Sequence, residues 1–175
     1  MDLDIKKFDN LDSTSVRAKE LAAGGAAAWT IVVAKKQDNG YGRKGNAWFS
    51  PQGGLYFSVI LPKSNVDDLR ILTILAAFAV AQTVKDRFEV EPFVKLPNDV
   101  YLNGKKICGI LTENIIAGEV KSSVIGIGVN TNIGAFPAEL ANATSLEIEL
   151  GETIDNDQIL EHSISQLQQI FKTIS

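Results

Sequence analysis

Residues 95–113, KLPNDVYLNGKKICGILTE, are the stretch around which the rest of the chain is arranged. Val90 to Val94 has the composition of a strand end, but Pro97 has no amide hydrogen for a ladder and biases Leu96 toward an extended backbone. The chain therefore leaves its sheet at Lys95-Leu96-Pro97-Asn98-Asp99. Val100-Tyr101-Leu102 resumes strand composition, Asn103-Gly104 is a two-residue hairpin turn signal, and Lys105 to Leu111 returns as the partner strand. Lys95, Lys106, Asn98 and Asp99 fall close together between apolar runs. Two ammonium groups suit phosphoryl or carboxylate oxygens, and an Asp with an Asn suits magnesium, which takes one or two carboxylates plus substrate phosphates. The same residues also suit a plain turn and solvated hairpin positions, so this segment alone leaves both readings open.

Upstream, Ile5 to Leu11 has weak strand character, and Asp12 or Ser13 caps an amphipathic helix over Val16 to Ala23 that ends at Gly24-Gly25. Thr30 to Ala34 is a buried strand, with Gln37 in its polar exit. Residues 39–48, NGYGRKGNAW, hold three glycines and two cations. Such a loop lets backbone approach a ligand while Arg43 and Lys44 meet an anion, although its spacing fits neither dinucleotide nor P-loop fingerprints, and a solvent-exposed hairpin loop is the alternative. Leu55 to Leu61 is a second apolar strand, Pro62 to Asn65 a loop, and Val66 to Phe88 a long helix with Asp67 and Asp68 near its start. Downstream, Val120 to Val129 is a strand in which Gly126 and Gly128 alternate with isoleucines. Either a large group lies against that face or the long helix packs closely on it. A helical turn is expected at Ala138 to Ala141, and Asp155 or Asn156 caps a last helix over Asp157 to Ile174. The sum is an α+β fold, a mixed and mainly antiparallel sheet covered on one face by helices.

At 175 residues the chain is expected to be one domain, able to bury roughly 70% of its extended surface. A net charge of −4 with no long run of like charge argues against DNA binding. The single cysteine, Cys108, excludes an internal disulfide, and with one histidine a zinc site of ordinary composition is also excluded. Met1-Asp2-Leu3-Asp4 does not open a signal peptide and no apolar run reaches the length of a membrane span, so a cytoplasmic protein is expected.

Four blocks, LDSTSVRAKELA, KKQDNGYGRKGNAWFSPQGGLYFSVILP, KLPNDVYLNGKKICGILTE, and IGIGVNTN followed by ATSL, occur in an order and spacing that resemble the catalytic domain of biotin protein ligases, a class II synthetase-like fold. The resemblance implies activation of biotin by ATP and magnesium to biotinoyl-5′-AMP, then transfer to a lysine of a biotin carboxyl carrier protein. It implies that Ser13, Thr14, Gln37, Gly40 and Gly109 bind biotin, and that Lys106 and Arg43 meet its carboxylate and the α-phosphate together with Lys95. Gly42, Arg43, Lys44, Gly45, Trp48, Asn98 and Asn130 would hold ATP or the adenylate, Trp48 as an aromatic wall, with Asp99 toward the metal. A homodimer is compatible with the resemblance. No protein nucleophile is required.

Two departures bear on this. The family loop reads GRGRRG, whereas Tyr41 stands in place of the first arginine and Lys44 of the third, which predicts weaker retention of the adenylate. The family's KWPND is KLPND here, with Leu96 in place of tryptophan. An N-terminal DNA-binding domain and a small C-terminal β-barrel, carried by some or most relatives, are not expected in this chain. A lipoate or octanoate ligase and a non-catalytic biotin-binding module are the alternative functions.

Overall fold

The computed structural model describes residues 3–62, 69–117 and 120–174. Seven strands form a single sheet in the order β1-β2-β3-β7-β6-β5-β4. Three come from the first third of the chain: β1 (Asp4–Phe8), β2 (Thr30–Ala34) and β3 (Leu55–Ile60). Four follow the long helix: β4 (Phe93–Lys95), β5 (Asp99–Leu102), β6 (Lys105–Ala117) and β7 (Val120–Val129). Only β1 and β2 run parallel, joined by the crossover helix α1 (Thr14–Ala23); every other neighbouring pair is antiparallel.

The hairpin around Asn103-Gly104 forms as expected. Asn103 and Gly104 take φ of 50° and 80°, the left-handed pair that a tight hairpin turn requires. The Leu96-Pro97 bond is cis. Strand β6 runs on past Leu111 to Ala117. Ser13 is the N-cap of α1, its hydroxyl accepting from Val16 N at 3.5 Å. Asp155 caps α4 (Asn156–Ile174), its Oδ1 accepting from the amides of Asp157 (3.0 Å) and Gln158 (3.2 Å). A one-turn helix, α3 (Leu146–Leu150), stands between β7 and α4, capped by Ser145.

Alternation along the strands divides the side chains between two faces. Ile31, Phe57, Val59, Ile110, Ile125 and Ile127 point to one side, where α2 (Leu69–Phe88) and α4 pack over them in the main core. Val32, Ile60 and Val124 point to the other side and meet Ala18 of α1. The helices therefore lie on both faces, not one as the sequence suggested, and α1 covers only part of its side. The expected first turn of α2, with Asp67 and Asp68, and the loop at 63–65 lie outside the described residues.

Candidate active site

The uncovered part of the α1 face holds a cavity of about 350 Å³. Its floor is β6 and β7, where Gly109 stands directly opposite Gly128 and Gly126 lies two residues along. A Cβ on Gly126 would lie 2.3 Å from Ser15 Oγ, and one on Gly128 2.3 Å from Trp48 Nε1. One on Gly109 would lie 2.8 Å from Trp48 Cζ3. The glycines thus make a flat seat for the Trp48 indole and the first turn of α1, whereas the long helix packs on the opposite face. The indole Nε1 is buried and has no hydrogen-bond partner among the described residues.

One end of the cavity is polar and uncharged. The Thr14 amide and hydroxyl both donate to Gln37 Oε1, at 2.8 and 3.1 Å. Ser58, fully buried in β3, donates to Thr14 Oγ1 at 2.8 Å and lies 3.1 Å from Ser15 Oγ. Gln37 Nε2 donates to Ser50 Oγ (2.9 Å), which donates to the Trp48 carbonyl (2.9 Å). These bonds fix the rotamers of short neutral groups, which is how a pocket orients an uncharged polar ligand.

The other end is ionic. A register shift between Val100 and Tyr101 sets Asp99 opposite Gly109 and Tyr101 opposite Lys106, a bulge of the kind that re-aims side chains beside a site. Lys106 Nζ lies 2.6 Å from Asp99 Oδ1 and 5.2 Å from the Trp48 ring centroid. Asn98 Nδ2 donates to the same carboxylate oxygen at 2.9 Å, while Asn98 Oδ1 accepts from Arg43 Nη1 at 3.2 Å. Arg43 and Lys44 are otherwise exposed at the rim. Cys108 is completely buried on the core side, and burial pushes its thiol well above the ordinary range, which leaves it protonated and inert.

Magnesium can be tested against this donor set. Among the described residues no three His, Cys, Asp or Glu side chains converge to hold a metal ion. Asp99 Oδ1 already meets Lys106 and Asn98, and the Asn98 oxygen accepts from Arg43, so the second Asp99 oxygen is the one open to an ion, which fits magnesium carried in by a triphosphate and held by one carboxylate.

The structure gathers Ser13, Thr14, Gln37, Gly42, Arg43, Lys44, Trp48, Asn98, Asp99, Lys106 and Gly109 around this cavity. Four others it does not. Lys95 is exposed on the edge strand β4, its ammonium 5.3 Å from the Tyr101 ring centroid, and it does not line the cavity. Gly40 and Gly45 line the outer side of their loop; Gly40 is packed there against Ser50 Oγ, 2.6 Å from where its Cβ would be. Asn130 is buried at the end of β7 and its amide donates to the carbonyls of Thr144 (3.0 Å) and Lys106 (3.4 Å). It borders a smaller neighbouring recess with Trp48 and Lys106. Ser15 and Ser58 were not singled out from sequence, although a serine in the middle of the apolar run LYFSVIL was a signal available for the second.

Residues 8–130 match the family described as the biotin/lipoate A/B protein ligase family. The chain belongs to that family. It is 42% identical over 160 residues to the bifunctional ligase/repressor BirA of Bacillus subtilis, an alignment covering 88% of this chain and 49% of the relative. It is 33% identical over 159 residues to the biotin–[acetyl-CoA-carboxylase] ligase of Paracoccus denitrificans, covering 86% and 65% respectively. A biotin protein ligase from Aquifex aeolicus, solved with biotin and ATP, superposes with a TM-score of 0.87 at 30% identity, over 97% of this chain and 71% of that one. The chain spans about half the length of the Bacillus relative.

Proposed function

We propose that this chain is an ATP-dependent biotin protein ligase. The carrying observation is one cavity with two chemically distinct ends, joined across the Gly109–Gly128 floor. The uncharged end, with Thr14, Ser15 and Gln37 backed by the buried Ser58, suits the ureido ring of biotin, which offers N–H donors and a carbonyl acceptor but no charge. A dithiolane or an alkyl chain would leave those groups unmatched, which favours biotin over lipoate or octanoate. The charged end, with Lys106 and Arg43, suits a carboxylate meeting a triphosphate, two anions that must be neutralised and aligned before they react.

A carboxylate oxygen of biotin attacks the α-phosphorus, the bond to the β-phosphate bridging oxygen breaks, and pyrophosphate departs. The ε-amine of a carrier-protein lysine then attacks the acyl carbon of biotinoyl-5′-AMP and AMP leaves, the amine losing one proton. Lys106 would bridge the biotin carboxylate and the α-phosphate, and Trp48 would form the wall beside adenine. Asp99 would hold a magnesium ion, which supplies charge neutralisation to the phosphates. The second substrate would be a biotin carboxyl carrier protein. Biotin-dependent exchange of labelled pyrophosphate into ATP tests the reading. Exchange with biotin and little with lipoate supports it; exchange with neither, alongside tight biotin binding, would leave a binding module.

A further inference from the structure

The glycine-rich segment is fastened by a contact that substrate binding does not require. Tyr41 lies in that segment at the cavity rim, and its side chain reaches two other elements. The phenol oxygen accepts from Lys19 Nζ of α1 at 2.9 Å and donates to Glu113 Oε2 of β6 at 2.8 Å. Lys19 Nζ in turn lies 3.0 Å from Glu113 Oε1, which closes a three-membered ring of contacts. All three side chains are half-buried. Burial works against the Lys19 charge, but the bonds to Tyr41 and Glu113 outweigh it and hold the ammonium above its ordinary range. Burial likewise pushes the Tyr41 phenol up, so it stays neutral. Beyond Tyr41 the segment folds on itself, with Gly42 N donating to Asn46 O at 2.8 Å and Trp48 N to Gly40 O at 2.8 Å. It is therefore a small closed unit, and Tyr41 ties it to α1 and β6 at the cavity rim.

We propose that Tyr41, Lys19 and Glu113 form a latch: positioning residues that keep the glycine-rich segment across the cavity and set how quickly a ligand bound there escapes. Only the identity of that ligand rests on the proposed function. The latch reverses the expectation drawn from the missing arginine. A cation is already present, delivered by α1 and balanced by Glu113. Restoring arginine at position 41 would place a second cation against Lys19 with one carboxylate to share, and would open the segment.

Arg43 and Lys44 make the segment a trypsin target, so opening can be read without any ligand. Ligand-free protein and the variants Tyr41→Phe, Tyr41→Arg and Tyr41→Arg/Lys19→Met are digested under native conditions, and the biotin dissociation rate is measured in parallel. Loss of the phenol's two hydrogen bonds to charged groups, with the Lys19–Glu113 pair left in place, predicts cleavage at Arg43 and Lys44 at least about tenfold faster in Tyr41→Phe. Other sites should be unaffected, and biotin should dissociate faster while associating at nearly the same rate. With cleavage at the arginine introduced at position 41 left out of the count, Tyr41→Arg should be cut at Arg43 and Lys44 faster than the unmodified protein, and adding Lys19→Met should bring that rate back. Unchanged cleavage in Tyr41→Phe, slower cleavage in Tyr41→Arg, or equal acceleration at every site, which marks global destabilisation, would each overturn the proposal. Absence of biotin binding would instead remove the functional reading, with the digestion still deciding on the latch.

Discussion

Gly128→Ala should damage nucleotide use while leaving biotin binding nearly intact. The added methyl would sit 2.3 Å from Trp48 Nε1 and 2.6 Å from Cε2, about 1.2 Å short of the ~3.5 Å at which non-bonded contacts become attractive. The indole cannot settle sideways onto Gly109, because that glycine already forms the other half of its seat, 2.8 Å from Cζ3 to a would-be Cβ. It must lift or turn. Overpacking of this kind costs about 1–3 kcal/mol, and replacing glycine in a strand returns about 0.5–1 kcal/mol. The net loss lowers the thermal midpoint by roughly 2–4 °C per kcal/mol in a domain of this length. Function should suffer more. A wall displaced by about an ångström can reduce kcat/KM by ~100-fold, here for ATP, with biotin KM changed less than about threefold. The neighbouring Gly126→Ala is the control, since its methyl would meet Ser15 Oγ at 2.3 Å and should raise biotin KM instead. Pyrophosphate exchange with each substrate varied in turn, alongside calorimetry, reads both effects. Equal losses for the two substrates in either variant, or an unaltered ATP dependence in Gly128→Ala, would refute this division of the floor.

Lys106→Ala removes the ammonium that lies 2.6 Å from Asp99 and should lower the adenylation rate ~10²- to 10³-fold, measured by single-turnover formation of the adenylate. Lys95→Ala, on the edge strand and outside the cavity, should leave that rate within about twofold, which steady-state exchange checks. Glu149 accepts from Thr144 Oγ1 and Asn103 Nδ2, each at 2.7 Å, and the Thr144 and Asn103 bonds hold its carboxyl below the ordinary 4.5. A carboxylate depressed by folding stabilises above its unfolded value and loses that contribution as pH falls through the folded one. Glu149→Gln should therefore lower the thermal midpoint at neutral pH by a few degrees, with the difference closing as pH drops well below 4.5.

Local signals in the sequence were strong where chemistry alone sets the backbone. Asn103-Gly104 specifies the hairpin, Ser13 the start of α1, and the periodicity of residues 69–88 a core helix, because each depends on side chains within a few positions. Three features depended on distant contacts. Strand β6 was read only to Leu111 because Thr112, Glu113 and Asn114 interrupt its apolar run, yet Thr112 is buried against Thr73 of α2, and Glu113 is engaged by Tyr41 and Lys19. Helix α3 is a single turn, too short for periodicity to register, and only its Ser145 cap marks it. Lys95 stands opposite Asp99 in the β4–β5 register, so nearness in sequence suggested convergence on the site. Its ammonium instead reaches along the strand to Tyr101, whereas Lys106 meets Asp99. The alternating glycines left two readings open because a missing side chain does not say what fills the space. Trp48 and Ser15 supply that answer from segments remote in sequence.

Direct isolation of the intermediate tests whether this cavity activates biotin with ATP. Protein incubated with ATP labelled in the α-phosphate, magnesium and biotin, then resolved by chromatography, should yield biotinoyl-5′-AMP, with none formed when biotin is omitted and a trace with Lys106→Ala. Biotin that binds tightly and ATP that stays intact in the unmodified protein would mean that the cavity binds biotin without activating it.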